Sequence, residues 1–138
     1  IGGTKTVTNM GHNTNGNLFF NISVNGIITN PSAQNLTWTS NRTREWTEGE
    51  STSGFLGWYD DVYKINGAAN GTSFNGTGFT ANITESLVVA LNCRWIKQGK
   101  LEFTPGSLAT RYFDYGSGSC DNAATVTING TAYNITLR

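Results

Sequence analysis

The sequence predicts an all-β fold, an antiparallel β-sandwich or barrel of about nine to eleven strands, with an extended N-terminal arm. Apolar and polar residues alternate with a period of two along much of the chain, and no segment shows the 3.6-residue period of a helix. Asn, Thr, Gly and Ser supply 64 of the 138 residues. Six Asn-Gly dipeptides, beginning at residues 15, 25, 66, 70, 75 and 129, favour tight hairpin turns, because a type I′ turn needs positive φ twice.

Residues 1–35 differ from the rest, because Lys5 is their only charged residue. Their apolar patch alternates at four positions, Leu18, Phe20, Ile22 and Val24. An extended segment of this kind can add a strand to the sheet edge of a neighbouring copy, which predicts a homo-polymer joined through this arm. An intramolecular hairpin over residues 17–29, turning at the second Asn-Gly, remains the alternative. We expect a boundary between this arm and the following β domain near residues 30–32.

From residue 36 the chain has the pattern of a conventional β domain, 36–138. Residues 36–46 alternate between two faces. One face has Leu36, Trp38, Arg42, Arg44 and Trp46, and the other has Thr37, Thr39, Asn41, Thr43 and Glu45. The alternation ends in two runs, 124–128 and 131–137, which predict a hairpin turning at Asn129-Gly130. The remaining strands are expected at 17–24, 78–84, 87–97, 100–104 and 109–115.

Cys93 and Cys120 are the only cysteines, and their spacing does not match a zinc motif. One disulfide and two free thiols are both compatible with the sequence. The scarcity of charge and the abundance of Asn and Thr favour an extracellular or cell-surface chain, where a disulfide persists. The first residues, Ile1-Gly2-Gly3-Thr4, have neither the basic region nor the apolar stretch of a signal peptide. For an exported protein we therefore expect this chain to be a mature or processed form.

Eight Asn-X-Ser/Thr triplets begin at residues 21, 35, 41, 70, 75, 82, 129 and 134. They match the acceptor motif for N-glycosylation. About four would arise by chance from 17 Asn and 30 Ser or Thr, and Thr is also a common strand residue. The sequence therefore favours the simpler interpretation, in which the triplets are ordinary strand residues.

Six segments between about residue 38 and residue 138 form a recognisable set: Arg42-Thr-Arg-Glu-Trp-Thr-Glu-Gly49, Asp60-Asp-Val-Tyr63, Asn92-Cys-Arg-Trp-Ile96, Leu101-Glu-Phe-Thr-Pro105, Asp114-Tyr-Gly-Ser-Gly-Ser-Cys-Asp-Asn122 and Ala124-Thr-Val-Thr-Ile-Asn-Gly130. In these segments and their order, the chain resembles the C-terminal β domain of uncharacterised exported proteins and lipoproteins of Bacteroidetes. The resemblance implies an all-β fold at the cell envelope or outside the cell. It implies no activity.

Charge and motifs exclude several functions. A formal net charge of zero offers no basic excess for nucleic acid, and no apolar run is long enough to span a membrane. His12 is the single histidine, without a predicted partner, so we expect no catalytic residues, no enzyme activity and no cofactor. Asp114 and Asp121 form a weak calcium candidate on a Gly-rich loop, for which ordinary turn chemistry is the simpler account.

The leading functional hypothesis is a non-enzymatic extracellular structural protein, a surface or filament subunit that assembles by β-strand addition. The alternative is a carbohydrate-binding or adhesive module that uses Trp58, Tyr59 and Trp95. Aromatic rings bind sugars well, although the same rings commonly pack in cores. Whether these rings are exposed or buried in the folded protein would distinguish sugar binding from core packing.

Overall fold

The nine strands of the part of the chain that the structure describes lie in a single antiparallel sheet. The computed structural model describes residues 1–52 and 54–138, and the strand order along the sheet is the order along the chain. No helix among these residues has the length and apolar character needed to cross a membrane. The strands are β1 (Gly2–His12), β2 (Leu18–Thr29), β3 (Asn35–Glu48), β4 (Val62–Thr72), β5 (Gly78–Ala90), β6 (Gln98–Pro105), β7 (Arg111–Ser117), β8 (Ala123–Ile128) and β9 (Thr131–Thr136).

The all-β class is confirmed, and nine strands fall within the predicted range. The arrangement differs from a sandwich or barrel, because the sheet is a single open layer in which β1 pairs with β2 alone and β9 with β8 alone. Each connection joins two adjacent strands. No crossover between the described strands therefore carries the chain onto a second layer.

Residues 1–35 do not form a separate arm within the chain. They supply β1 and β2, and β2 pairs with β3 from Phe19↔Glu45 to Thr29↔Asn35. The sheet is therefore continuous across residues 30–34, and the expected domain boundary is a turn between neighbouring strands. The predicted Asn-Gly turn at residue 25 is also wrong, because Asn25 and Gly26 pair within β2.

The two faces of the sheet differ sharply in chemistry. Residues paired across antiparallel strands point to the same face, so the register assigns each side chain to one of them. One, here called the apolar face, includes Phe20, Ile22, Val24, Trp38, Ile65, Phe79, Leu87, Phe103, Phe113 and Ile128. The other, the polar face, includes Thr4, Thr6, Thr8, Asn21, Asn25, Thr37, Thr39, Asn41, Asn66, Asn70, Thr80, Asn82 and Thr125.

Glycines inside the strands make room for aromatic rings on the apolar face. A Cβ atom on Gly26 would lie 2.2 Å from the Trp38 ring, and one on Gly71 would lie 2.6 Å from the Phe79 ring. Both glycines belong to Asn-Gly pairs that the sequence pattern assigns to turns. Their physical role is instead to let a large ring lie close to the backbone, a known use of glycine within strands. At Gly71 a Cβ atom would also lie 2.1 Å from the backbone oxygen of Thr37.

Of the remaining four Asn-Gly pairs, Asn66-Gly67 lies within β4, and the pairs that begin at residues 15, 75 and 129 lie in turns. Asn129 and Gly130 have φ values of 50° and 76° between paired Ile128 and Thr131, which confirms the predicted C-terminal hairpin. Residues 13–17, 30–34 and 73–77 share a second turn design. In each, the fourth residue, which is Gly16, Ala33 or Gly76, has positive φ and donates its backbone N–H to the first residue.

The single layer leaves little of the chain fully buried. Among the described residues, no side chain has less than 2% of its surface exposed, and the buried apolar residues are Leu87, Ala90, Cys93 and Ala124. The accessible surface is 8674 Å², against about 7,000 Å² for a compact monomer of this mass. The molecule therefore exposes about 1,700 Å² more than a compact monomer would.

The predicted disulfide between Cys93 and Cys120 is confirmed. It joins the β5–β6 and β7–β8 connections, which lie at the same end of the sheet. The bond therefore encloses the β6–β7 hairpin and limits how far these strands separate in the unfolded chain. For a loop of this length, such a constraint stabilises the fold by about 3 kcal/mol.

Replacing Gly26 by Ala tests the ring-over-glycine packing. The added methyl group must displace the Trp38 ring, so we expect a loss of about 1–3 kcal/mol in the free energy of unfolding, measured by urea denaturation. Gly78→Ala is the control, since the nearest atom to its new Cβ lies 3.8 Å away. Equal effects of the two variants would show that the Trp38 contact is not specific.

Candidate functional site

The open edges of the sheet are its most distinctive surfaces. β1 is 11 residues long, and all but Gly11 are exposed. β9 has six residues without charge or proline, and five of them are exposed. Natural edge strands are usually protected by charges, prolines or bulges, because unpaired backbone groups attract other strands. Here Lys5 and one irregularity after Asn9 protect β1, and β9 has neither device.

Glu45 and Glu50 attach the β1–β2 turn to the body of the sheet. Asn13 and Asn17 each donate a side-chain N–H to Glu45 Oε1 at 2.8 Å. These two hydrogen bonds lower the pKa of Glu45 below its usual value, and the bond from Asn17 has the larger effect. His12 Nε2 lies 2.7 Å from Glu50 Oε1, a contact that the sequence does not predict. The carboxylates thus fix the position of the first edge strand.

A cation–π cluster lies at the same end of the apolar face. The Arg44 guanidinium lies 4.7 Å from the centre of the Tyr63 ring and 5.4 Å from that of Phe20. Trp46 stacks on Tyr63 with the ring centres 5.7 Å apart. Arg44 therefore contributes to packing as well as charge, since its flat group covers aromatic surface.

Asp61 is buried beside this cluster. Tyr63 donates its hydroxyl to Asp61 Oδ2 at 3.3 Å. Burial raises the pKa of the Tyr63 hydroxyl above its usual value, and the nearby negative charge of Asp61 raises it further. Asp60, by contrast, is exposed and accepts a hydrogen bond from Thr52. The two adjacent carboxylates therefore occupy different environments and do not form a shared acid–base pair.

The predicted assembly residues Leu18, Phe20, Ile22 and Val24 lie in β2, the second strand of the sheet. Each has a partner in β1, and from Phe20 onward each also has one in β3. Their alternation reflects packing on the apolar face of the same chain. They are not available for donation to a neighbour while β2 keeps both partners.

The three predicted sugar-contact residues separate into two groups. Trp58 and Tyr59 lie in the β3–β4 connection, 50% and 56% exposed, with ring centres 5.9 Å apart. Phe55 and Leu56 beside them are also exposed. Trp95 belongs to the β5–β6 connection and is half-buried, with its indole N–H unpaired within the described residues. Of the three predicted residues, Trp58 and Tyr59 present an open aromatic surface and Trp95 does not.

Asp114 and Asp121 border one open depression on the sheet. Asp114 Oδ1 accepts the backbone N–H of Gly116 at 2.9 Å, and Asp121 Oδ1 accepts that of Ala123 at 3.0 Å. Both bonds are the local turn chemistry expected of Asp. Across the described residues, no group of three or more His, Cys, Asp or Glu residues is placed to hold a metal ion.

The chain matches no protein-family model, no curated protein and no solved structure. The resemblance to exported Bacteroidetes β domains therefore remains an expectation. The function has to be argued from the surfaces of the sheet itself.

Glu45→Gln tests the attachment of the β1–β2 turn. The pKa of Glu45 in the folded chain lies below its usual value of 4.5. As the pH falls through 4.5 toward the lowered pKa, Glu45 therefore binds a proton more readily in the unfolded chain than in the folded one. The wild type should therefore lose stability over this acidic range, and the Glu45→Gln variant should lose less. At neutral pH the free energy of unfolding of the variant should be about 1 kcal/mol below that of the wild type. The measurement is urea unfolding across acidic pH. Glu48→Gln on the same strand should retain the wild-type profile, and identical profiles for all three proteins would contradict the assignment.

Proposed function

We propose that the protein is a non-enzymatic structural subunit of an extracellular surface layer or filament, and that neighbouring copies add strands to the free edges β1 and β9. The observation that carries the proposal is the open sheet, whose end strands have exposed backbone and little protection. Strand addition satisfies such edges through main-chain hydrogen bonds. The proposal moves the assembly strands from β2 to β1 and β9.

The direction of the strands limits how copies can join. Successive strands are antiparallel and nine in number, so β1 and β9 run in the same direction. A copy added by translation would pair its β1 with the preceding β9 in parallel, and repetition of this contact does not close. A two-fold contact, β1 with β1 or β9 with β9, would be antiparallel and would stop at a dimer unless both edges were used. We propose the repeating β9–β1 contact.

Charge on the apolar face disfavours stacking two copies through that face. Its strand cations are Lys5, Arg42, Arg44 and Arg111, and the register places no acidic residue of the strands among them. Two apolar faces in contact would bring like charges together at low dielectric. Edge contacts avoid this repulsion, because neighbouring sheets then lie side by side.

Lysine substitutions at the edges test the proposal. Val7 and Tyr133 are half-exposed residues of β1 and β9, so Val7→Lys and Tyr133→Lys should leave the folded monomer intact and hinder strand addition. By sedimentation velocity over a concentration series, the wild type should form a growing series of oligomers. Each single variant should remain a monomer, and a mixture of the two should form dimers.

The neutral variants Val7→Thr and Tyr133→Thr are the controls, and both should assemble as the wild type does. Dimers of each lysine variant alone would instead indicate two-fold edge contacts. A wild type that remains a monomer of 14.9 kDa at every concentration would overturn the proposed assembly.

A second candidate, carbohydrate binding, is supported by the exposed rings of Trp58 and Tyr59. Exposed aromatic surface beside polar groups suits the apolar face of a sugar. Trp58→Ala should then reduce retention on an insoluble polysaccharide at least several-fold, while Tyr112→Ala, an exposed ring outside this loop, should not. Equal retention of both variants and the wild type would exclude this site.

A further inference from the structure

The eight Asn-X-Ser/Thr triplets have a common placement in the fold. Every one of their Asn residues is exposed. Six lie in strands, and the register directs all six to the polar face: Asn21, Asn35, Asn41, Asn70, Asn82 and Asn134. The other two, Asn75 and Asn129, lie in turns. No triplet begins on the apolar face.

The amide nitrogens of these residues are also free. Within the described chain, no triplet Asn donates a hydrogen bond through its Nδ2 atom, whereas Asn13, Asn17 and Asn30, which belong to no triplet, all do. Where the side chain of a triplet Asn in a strand is hydrogen-bonded, its Oδ1 atom accepts the bond. Thr39 donates to Asn70 Oδ1 at 3.0 Å, and Thr29 donates to Asn35 Oδ1 at 2.8 Å.

We infer that the polar face is a glycosylated surface, carrying N-linked glycans at several of these eight Asn residues. The co-reactant is an activated glycosyl donor with a diphosphate leaving group, supplied to a glycosyltransferase. The bond between Asn Nδ2 and the anomeric carbon forms as the carbon–oxygen bond to diphosphate breaks, and one amide proton is lost. Exposed, unpaired Nδ2 atoms are what this reaction requires.

Strand alternation accounts for part of the triplets. In a strand, residues i and i+2 share a face, so a face rich in Asn and Thr forms some triplets without selection. Chance from the whole composition gives about four triplets, half the number present. The polar face also contains Asn25 and Asn66, which are exposed but are followed at i+2 by Ile27 and Ala68. These two residues are matched internal controls.

Glycans on the polar face are compatible with the proposed edge contacts. β1 contains no triplet, and β9 contains one, Asn134, on the polar face rather than along the backbone edge. Bulky polar chains on one face would prevent other sheets from stacking there. This inference rests on the triplets alone and stands or fails separately from the assembly proposal.

The test is mass spectrometry of the protein purified from its native source. We expect several triplet Asn residues to be found as glycopeptides, and Asn25 and Asn66 to be unmodified. Amidase release of the glycans should lower the intact mass of the protein by the mass of the glycans, apart from the Asn-to-Asp conversions. Three triplets contain Asn-Gly, which deamidates spontaneously, so sites should be assigned from intact glycopeptides rather than from Asp formation.

A native protein whose mass does not change on amidase treatment, and whose eight triplets are all found in unmodified peptides, would overturn the inference. Modification at Asn25 and Asn66 to the same extent as at the triplets would also overturn it, since the acceptor motif would then have no role. Replacement of the partner Thr43 by Ala should abolish modification at Asn41 alone. Retention of the glycan at Asn41 in that variant would contradict the assignment as well.

Discussion

The contact of the Trp38 and Phe79 rings with the backbone of Gly26 and Gly71 shows how this sheet buries apolar surface without a second layer. A sandwich buries its inner face against another sheet, whereas a single layer has only side chains of adjacent strands. Large rings therefore lie over positions without side chains. The remaining apolar residues are only partly covered, which accounts for the large accessible surface.

The same constraint connects the packing to the proposed function. A single layer with nine strands has two edges, and neither closes on the other. The cations on the apolar face oppose contact between two such faces, and six of the eight Asn-X-Ser/Thr triplets begin on the polar face. The edges are the surfaces that remain for repeated contact between copies, and strand addition requires no change in the faces.

Alternation predicted the class and most strands because its period depends on the two-faced character of the sheet, which a single layer shares with a sandwich. It could not separate one layer from two, since both bury one face. β4 was missed because Gly67, Ala69 and Gly71 supply space rather than apolar bulk to the apolar face. Two cysteines allow a single intramolecular pairing, and the composition typical of an extracellular chain favoured the disulfide over two free thiols. The His12–Glu50 contact depends on a separation of 38 residues and left no local signal.

Hydrogen exchange at low and high protein concentration tests the central claim most directly, because strand addition protects backbone amides at the edges. The account predicts that amides of β1 and β9 exchange more slowly as concentration rises, while those of β4 and β5, already paired on both sides, do not change. Equal exchange of the β1 and β9 amides at both concentrations would contradict assembly through the sheet edges.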